Sequence, residues 1–204
     1  MPIMKKALLI TAALASSTPA LASDWEIDAA HSTAQFSVRH MMVSTVRGHF
    51  QKVSGIASLD DRDLTRSKVE VTIDAASIDT REAKRDEHLK SPDFFDVAKY
   101  PTIAFRSTKV EKAGAGYKVT GDLTIHGVTK PVVLTVDSVT APQKNPWGKL
   151  VRGASATGKL NRKDFGLTWN KALESGGVLV GDEVNLQIDV ELAAKTADAA
   201  PSTK

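Results

Sequence analysis

The sequence predicts an all-β fold of about eight antiparallel strands with a short helical flap, closed as a barrel or packed as a sandwich. Three observations predict it. Apolar residues recur at every second position in segment after segment, which is the period of a half-buried strand. Helical pattern is confined to residues 81–90 and a turn or so after them. No cysteine, and no Pro/Gly/Ser-rich linker, divides the stretch 23–192, which suits one domain with a sizeable core.

The chain opens with a three-part leader. Lys5 and Lys6 precede the apolar run 7–15, and Ala20-Leu21-Ala22 offers the small residues a signal peptidase requires, so residues 1–22 read as a signal peptide cut between Ala22 and Ser23. The run is short of the about 20 residues that span a bilayer. The expectation is export to the periplasm with no stable membrane anchor, because a lipoprotein would need a cysteine at the cleavage site. The fold must then stand on its core alone, without disulfides.

The first strand signal is Ala34, Phe36, Val38 and His40, followed by shorter candidates at 46–50 and 53–59. Val69, Val71 and Ile73 continue the alternation. Next comes the flap, where Thr80 is placed to cap a helix through 81–90 and Ser91-Pro92-Asp93 to start another short one. A strand at 103–110 leads into the clearest hairpin, 117–136. Its first arm alternates Tyr117, Val119, Leu123 and Ile125, and its second arm Val132, Leu134 and Val136, with a connection at 126–130 containing Gly127. Residues 141–149, with Pro142, Pro146 and Trp147, depart from strand pattern and read as a loop. Strands at 151–160 and at Val184, Leu186, Ile188, Val190 and Leu192 complete the set. Residues 193–204, rich in Ala, Lys and Thr, have little to bury and read as a disordered tail.

Losing Lys5 and Lys6 with the leader lowers the formal charge of +3 by two, to +1, and acids and bases alternate along the rest. No basic tract of the kind that attracts nucleic acid or an anionic membrane is present, so neither partner is expected. Aromatic residues are few and the apolar faces are mostly Val, Leu, Ile and Ala, so a barrel of this composition has room for a cavity, while a filled sandwich core fits the same composition.

Six stretches in order resemble the YceI-like family: 28–41 (DAAHSTAQFSVRHM), 85–96 (RDEHLKSPDFFD), 100–108 (YPTIAFRST), the hairpin 121–132 (GDLTIHGVTKPV), 163–167 (KDFGL) and 180–192 (VGDEVNLQIDVEL). The resemblance spans the domain 23–192. It implies an eight-stranded lipocalin-like barrel, often a homodimer, whose apolar interior holds a polyisoprenoid or other long-chain lipid without covalent attachment and without a cofactor.

Several residues are candidates for the polar end of such a ligand. His40 shares parity with Phe36 and Val38 and is either a head-group partner or a core histidine satisfied by a carbonyl. Arg81 and Arg85, one turn apart on the expected flap helix, either meet a phosphate or carboxylate at a tunnel mouth or form surface ion pairs. Phe94, Phe95 and Phe105 either wall one end of the tunnel or belong to the core. The candidate ligand set is therefore Phe36, Val38, His40, Arg81, Arg85, Phe94 and Phe105. His31 and Ser32 read as a turn pair before the strand. His31, His40 and His49 are evenly spaced but lack a tight second ligand pair, so no metal is expected. Asp60-Asp61 and Asp182-Glu183 read as solvated acids of turns and strand starts.

No thiol, no Gly-x-Ser-x-Gly elbow and no phosphate loop is present, so the expectation is a binding protein and not an enzyme. Two alternatives stand beside it: an enzyme acting on an isoprenoid lipid with His40 as base, and a structural or stress-response barrel with a filled core.

Overall fold

The structure, a computed structural model, describes residues 23–174 and 176–195; the expected leader, 1–22, lies outside them, as does the tail from 196. Twelve strand segments pair antiparallel into one sheet that closes on itself. They are β1 (Ser23–Ile27), β2 (Thr33–His40), β3 (Ser44–Phe50), β4 (Val53–Leu59), β5 (Lys68–Asp74), β6 (Ile78–Asp79), β7 (Thr102–Ala113), β8 (Gly116–Ile125), β9 (Val128–Val139), β10 (Gln143–Lys144), β11 (Leu150–Asn161) and β12 (Val180–Ala194).

The twelve segments make eight staves, because four staves are bent. β1 and β2 lie one after the other along the same edge of β12, at Leu192 to Ala194 and at Val180 to Asp189. β4 and β3 back them in the same order, β5 and β6 back those, and β10 continues β9 along β11. β7, β8 and β9 follow as meander neighbours, and β11–β12 pairing closes the ring. The closure removes the free edges along most of the wall, while Val128 to Val133 of β9 and Ser44 to Gly48 of β3 pair on one side only among the described residues.

Each bend frees backbone groups that must find partners, and serines supply them. Ser77 Oγ accepts from Lys52 N–H at 3.1 Å and donates to the Asp74 carbonyl at 2.6 Å. Ser32 Oγ, buried, accepts from Glu191 N–H at 3.0 Å. The turn before Ser32 is closed by His31 N–H to the Asp28 carbonyl, so His31 and Ser32 are the turn pair expected of them.

The core divides into two clusters. One gathers Phe50, Ala75, Ile78, Ile103, Leu123, Ile125, Val132, Phe165 and Leu167 at the flap end, with Leu89, Phe95 and Phe105 packed against it. The other gathers Trp25, Ala57, Leu59 and Leu192 at the opposite end. Fully burying a side chain of the Val, Leu, Ile, Phe or Met type is worth about 1.5–3 kcal/mol, so both ends contribute substantially.

Four expectations are corrected by this architecture. The flap helix α1 spans Ala83–Lys90, and its cap is Glu82, whose side chain accepts from Lys84 N–H; Thr80 instead donates to Asp86 from its hydroxyl and its backbone N–H. Residues 91–99 form turns, with Phe94 and Asp96 N–H both bonded to the Ser91 carbonyl, and not a second helix. The hairpin connection is two residues, His126 and Gly127, both at positive φ, because Val128 already pairs with Ile125. Pro131 falls inside β9 where β11 has not yet begun to pair, so its missing N–H breaks no ladder. Finally, β12 runs past 192: Ala193 is buried and Ala194 pairs with Trp25, so the barrel takes in the first residues of the expected tail.

Candidate functional site

The inward face of β11, extended one residue past its end, reads Arg152, Ala154, Ala156, Gly158, Leu160, Arg162. Three very small side chains occupy its middle. Facing them across the interior are larger apolar residues, among them Val184, Leu186, Ile188 and Val190 of β12 and Leu134 and Val136 of β9. Every one of these six remains half-buried although it points inward, because it borders empty space. The result is an apolar lumen of about 310 Å³ between the two core clusters. That lies at the lower end of the about 300–1,000 Å³ typical of ligand pockets.

Glycines shape its upper wall. A Cβ on Gly48 would stand 2.5 Å from Phe36 Cζ, and one on Gly121 2.4 Å from Phe105 Cζ, so both rings lie across neighbouring staves only because those positions carry no side chain. Phe36 meets Phe50 at 5.8 Å between centroids, and Phe50 meets Phe95 edge-on at the same distance. Above them, His88 packs edge-on to Phe94 and Trp169 at 5.1 and 4.7 Å, and its Nε2 lies 2.8 Å from Asp93. The flap is thus an aromatic plug.

Arg162 locks that plug. Its side chain is buried, and its five N–H groups are all engaged: Nε with the Gly181 carbonyl at 2.9 Å, one terminal nitrogen with the carbonyls of Leu167 and Trp169, the other with the Val180 carbonyl and Asp182, each at 3.4 Å. Burial pushes the guanidinium below its ordinary value, and Asp182 opposes the shift; an arginine remains charged regardless. Asp182 also takes Lys163 at 2.9 Å and Glu183 takes Lys159 at 3.0 Å, so this carboxylate pair holds cations and is not merely solvated. At the other end Arg152, also buried, stacks on Trp25 at 4.8 Å and donates to Asp61 at 2.8 Å and to the Thr140 carbonyl at 3.2 Å. Asp60 is buried as well, accepting from the N–H groups of Arg62 and Asp63, so it closes a turn.

Of the seven candidate ligand residues, Phe36, Val38, Phe94 and Phe105 line the lumen. The other three do not. His40 sits at the tip of β2 opposite Ser44 and Val180, half-buried, above the lumen. Arg81 precedes the helix at φ 62°, exposed, with its N–H bonded to Asp79; it shares no helix face with Arg85. Arg85 is clamped on Thr80, donating to the hydroxyl at 2.7 Å and to the carbonyl at 2.8 Å. Among the described residues no histidine or carboxylate lines the lumen. His31, His40 and His49 stay apart: His49 lies opposite Asp79 and Gln35, while His31 Nδ1 is 3.1 Å from Asp28 and 4.0 Å from Glu191 on the surface. That contact raises the His31 pKa and lowers that of Asp28, chiefly through their shared hydrogen bond.

A larger depression, about 830 Å³, lies on the outer face of the barrel, among Ser37, Arg47, Thr135, Thr157, Lys159 and Gln187. It is polar and open, and size alone does not make it the ligand site.

The family model of the YceI-like domain matches residues 25–192. A UPF0312 protein of Photorhabdus laumondii, plu2095, is 42% identical over 168 residues, covering 80% of this chain and 87% of its own. Among solved structures, Burkholderia cenocepacia BcnA superposes with a TM-score of 0.70 at 25% identity, covering 81% of this chain and 98% of its own. A polyisoprenoid-binding domain from Saccharophagus degradans, implicated in plant cell wall breakdown, shares the fold, with a TM-score of 0.58 at 16% identity and coverage of 85% and 99%.

Proposed function

The chain belongs to the YceI-like family, and from that premise we propose that it is a periplasmic carrier that shields one long apolar chain, a polyisoprenoid or similar lipid, inside its barrel. The observation that carries the reading is the pair Ala154 and Ala156 facing Val, Leu and Ile across an unfilled interior. A filled core would set large residues there.

The energetics favour the tail over the head. Each methylene buried contributes about 0.8 kcal/mol, so a dozen amount to roughly 10 kcal/mol before ordering costs. A neutral hydrogen bond to a head group adds only about 1 kcal/mol. Arg162, the one cation on the wall among the described residues, has no N–H left for a phosphate. A charged head therefore stays outside the wall. The enzyme alternative loses its candidate base, since His40 lies outside the lumen and general acid–base chemistry needs a group within hydrogen-bond reach.

The test is to purify the protein from a bacterial host, extract it with organic solvent and analyse the extract by mass spectrometry, with added isoprenoid lipid incubated in parallel. A stoichiometric apolar lipid recovered unchanged supports the carrier. Product formed from the added lipid supports an enzyme, and an empty extract with no uptake supports a filled, structural barrel.

A further inference from the structure

We propose that the β10–β11 hairpin is a membrane-docking element that seats the barrel end opposite the flap on an anionic lipid surface. This rests on the carrier reading, whose cargo must pass between a bilayer and the barrel.

Four observations converge on the hairpin. Trp147 at its tip is 85% exposed, the largest value among the exposed large hydrophobics of the described residues, and Leu150 beside it is 39% exposed. The tip is rigid: the Asn145 side-chain oxygen accepts from Trp147 N–H at 3.1 Å and Lys149 N–H at 2.9 Å, while Gly148 turns the chain at φ 82°. A solvated indole is costly in water and well placed at a membrane–water interface, where its ring is apolar and its N–H finds partners. Lys144 and Lys149 flank it, and no Asp or Glu occurs between Asp137 and Asp164.

The hairpin also stands at the end of the barrel opposite the flap, where its base reaches the lumen. Val139 and Ala154, paired across its base, both line the cavity. Along β8 and β9 the inward residues change from buried at the flap end, at Leu123, Ile125 and Val132, to half-buried at Tyr117, Val136 and Val139. The neighbouring β7–β8 hairpin adds exposed Lys112 and Lys118 to the same end. Of the acids at this end, Asp61 is held by Arg152 and Glu111 by Lys109, while Asp137 on β9 is exposed. A basic collar around an exposed Trp fits anionic phospholipid, to which each lysine near the surface is attracted.

The purified protein is mixed with vesicles of phosphatidylglycerol and phosphatidylethanolamine, and with vesicles of phosphatidylcholine alone. Binding is followed by co-sedimentation and by tryptophan emission. The expected result is a salt-sensitive association with the anionic vesicles and a blue shift of emission. Trp147→Ala should weaken it by about tenfold, the loss expected of a partly inserted aromatic ring, and Lys144→Gln with Lys149→Gln should remove the preference for anionic lipid. Trp169→Phe, at the flap end, should retain the shift. Equal binding by wild type and Trp147→Ala, or no vesicle binding at all, overturns the proposal, as does a Trp147-dependent dimer seen by ultracentrifugation with vesicle binding unchanged. Extracted lipid is quantified in the same preparations: lumen lipid present with vesicle binding indifferent to Trp147 refutes docking and leaves the carrier standing. Absence of lumen lipid together with failure to take up added lipid refutes the carrier reading itself.

Discussion

The two ends of β11 carry the same residue type on the same inward parity and use it differently. At the flap end Arg162 is enclosed by four backbone carbonyls and Asp182, beneath an aromatic plug. At the other end Arg152 stacks on Trp25 and reaches Asp61, whose side chain is half exposed, and the staves around it remain less tightly packed on the β7–β9 side. One end is closed by an arginine whose N–H groups are all engaged inside the protein, and the other by an arginine that joins the buried Trp25 cluster to a partly exposed carboxylate. The small residues between the arginines set the lumen.

The largest effect should come from breaking the flap-end lock. Arg162→Met removes the buried donor of the Gly181, Leu167 and Trp169 carbonyls, while Val180 keeps Asn170 and Asp182 keeps Lys163, and breaking a buried charged network of this kind costs about 3–5 kcal/mol. Arg162→Lys should not rescue it, because an ammonium cannot reproduce the planar fork. Arg152→Met should cost less, about 1–3 kcal/mol, since its partner Asp61 regains water. Urea unfolding of the three variants measures the difference, and equal losses at the two ends would erase the distinction.

The middle of the row should respond in the opposite sense. Ala156→Phe places its ring in empty space, so stability should change by no more than about 1–2 kcal/mol in either direction, where the same change in a filled core would overpack it. A loss well above that range, read from thermal unfolding, would mean the lumen is not available volume.

Smaller still are changes beyond the lumen. Arg85→Ala removes the clamp on Thr80 from a half-buried side chain and should cost about 0.5–1.5 kcal/mol of stability, while His40→Ala should leave affinity for an apolar chain within about twofold; calorimetry on delipidated protein checks both. The smallest effect is the surface pair at the β1–β2 bend. Asp28 titrates below its ordinary value, so its contribution is complete above that ordinary value and fades as pH falls through the lowered one. His31 titrates above its ordinary value, so its contribution is complete at lower pH and fades as pH rises through the raised one. The pair therefore contributes most between those two limits. An NMR titration should place the His31 imidazole above about 6.5, and Asp28→Asn should return it there.

Much of the wall was legible because alternation is local. Tyr117, Val119, Leu123 and Ile125 point inward as their spacing requires, and so do Phe36, Val38, Val69, Val71 and Ile73. The ends were not legible, because they are made by contacts between segments far apart in sequence. His40 has the parity of a lumen residue but lies two positions above Val38, where the stave has left the cavity. Arg81 and Arg85 have helical spacing, but the helix begins at Ala83 and Asp79 holds the chain before it in a left-handed turn. Arg162 escaped notice because an arginine after a strand ordinarily faces water. The available signal was parity, since counting by two from Ala154 through Leu160 arrives at it.

The carrier reading requires an apolar chain in the space beside Ala154 and Ala156. Native mass spectrometry of the protein as purified, wild type and Ala156→Phe side by side, tests it most directly. One lipid adduct per chain is expected in the wild type, with loss of that adduct in a variant that remains folded. The same adduct in both proteins, or an empty wild type that takes up no added isoprenoid, would contradict it.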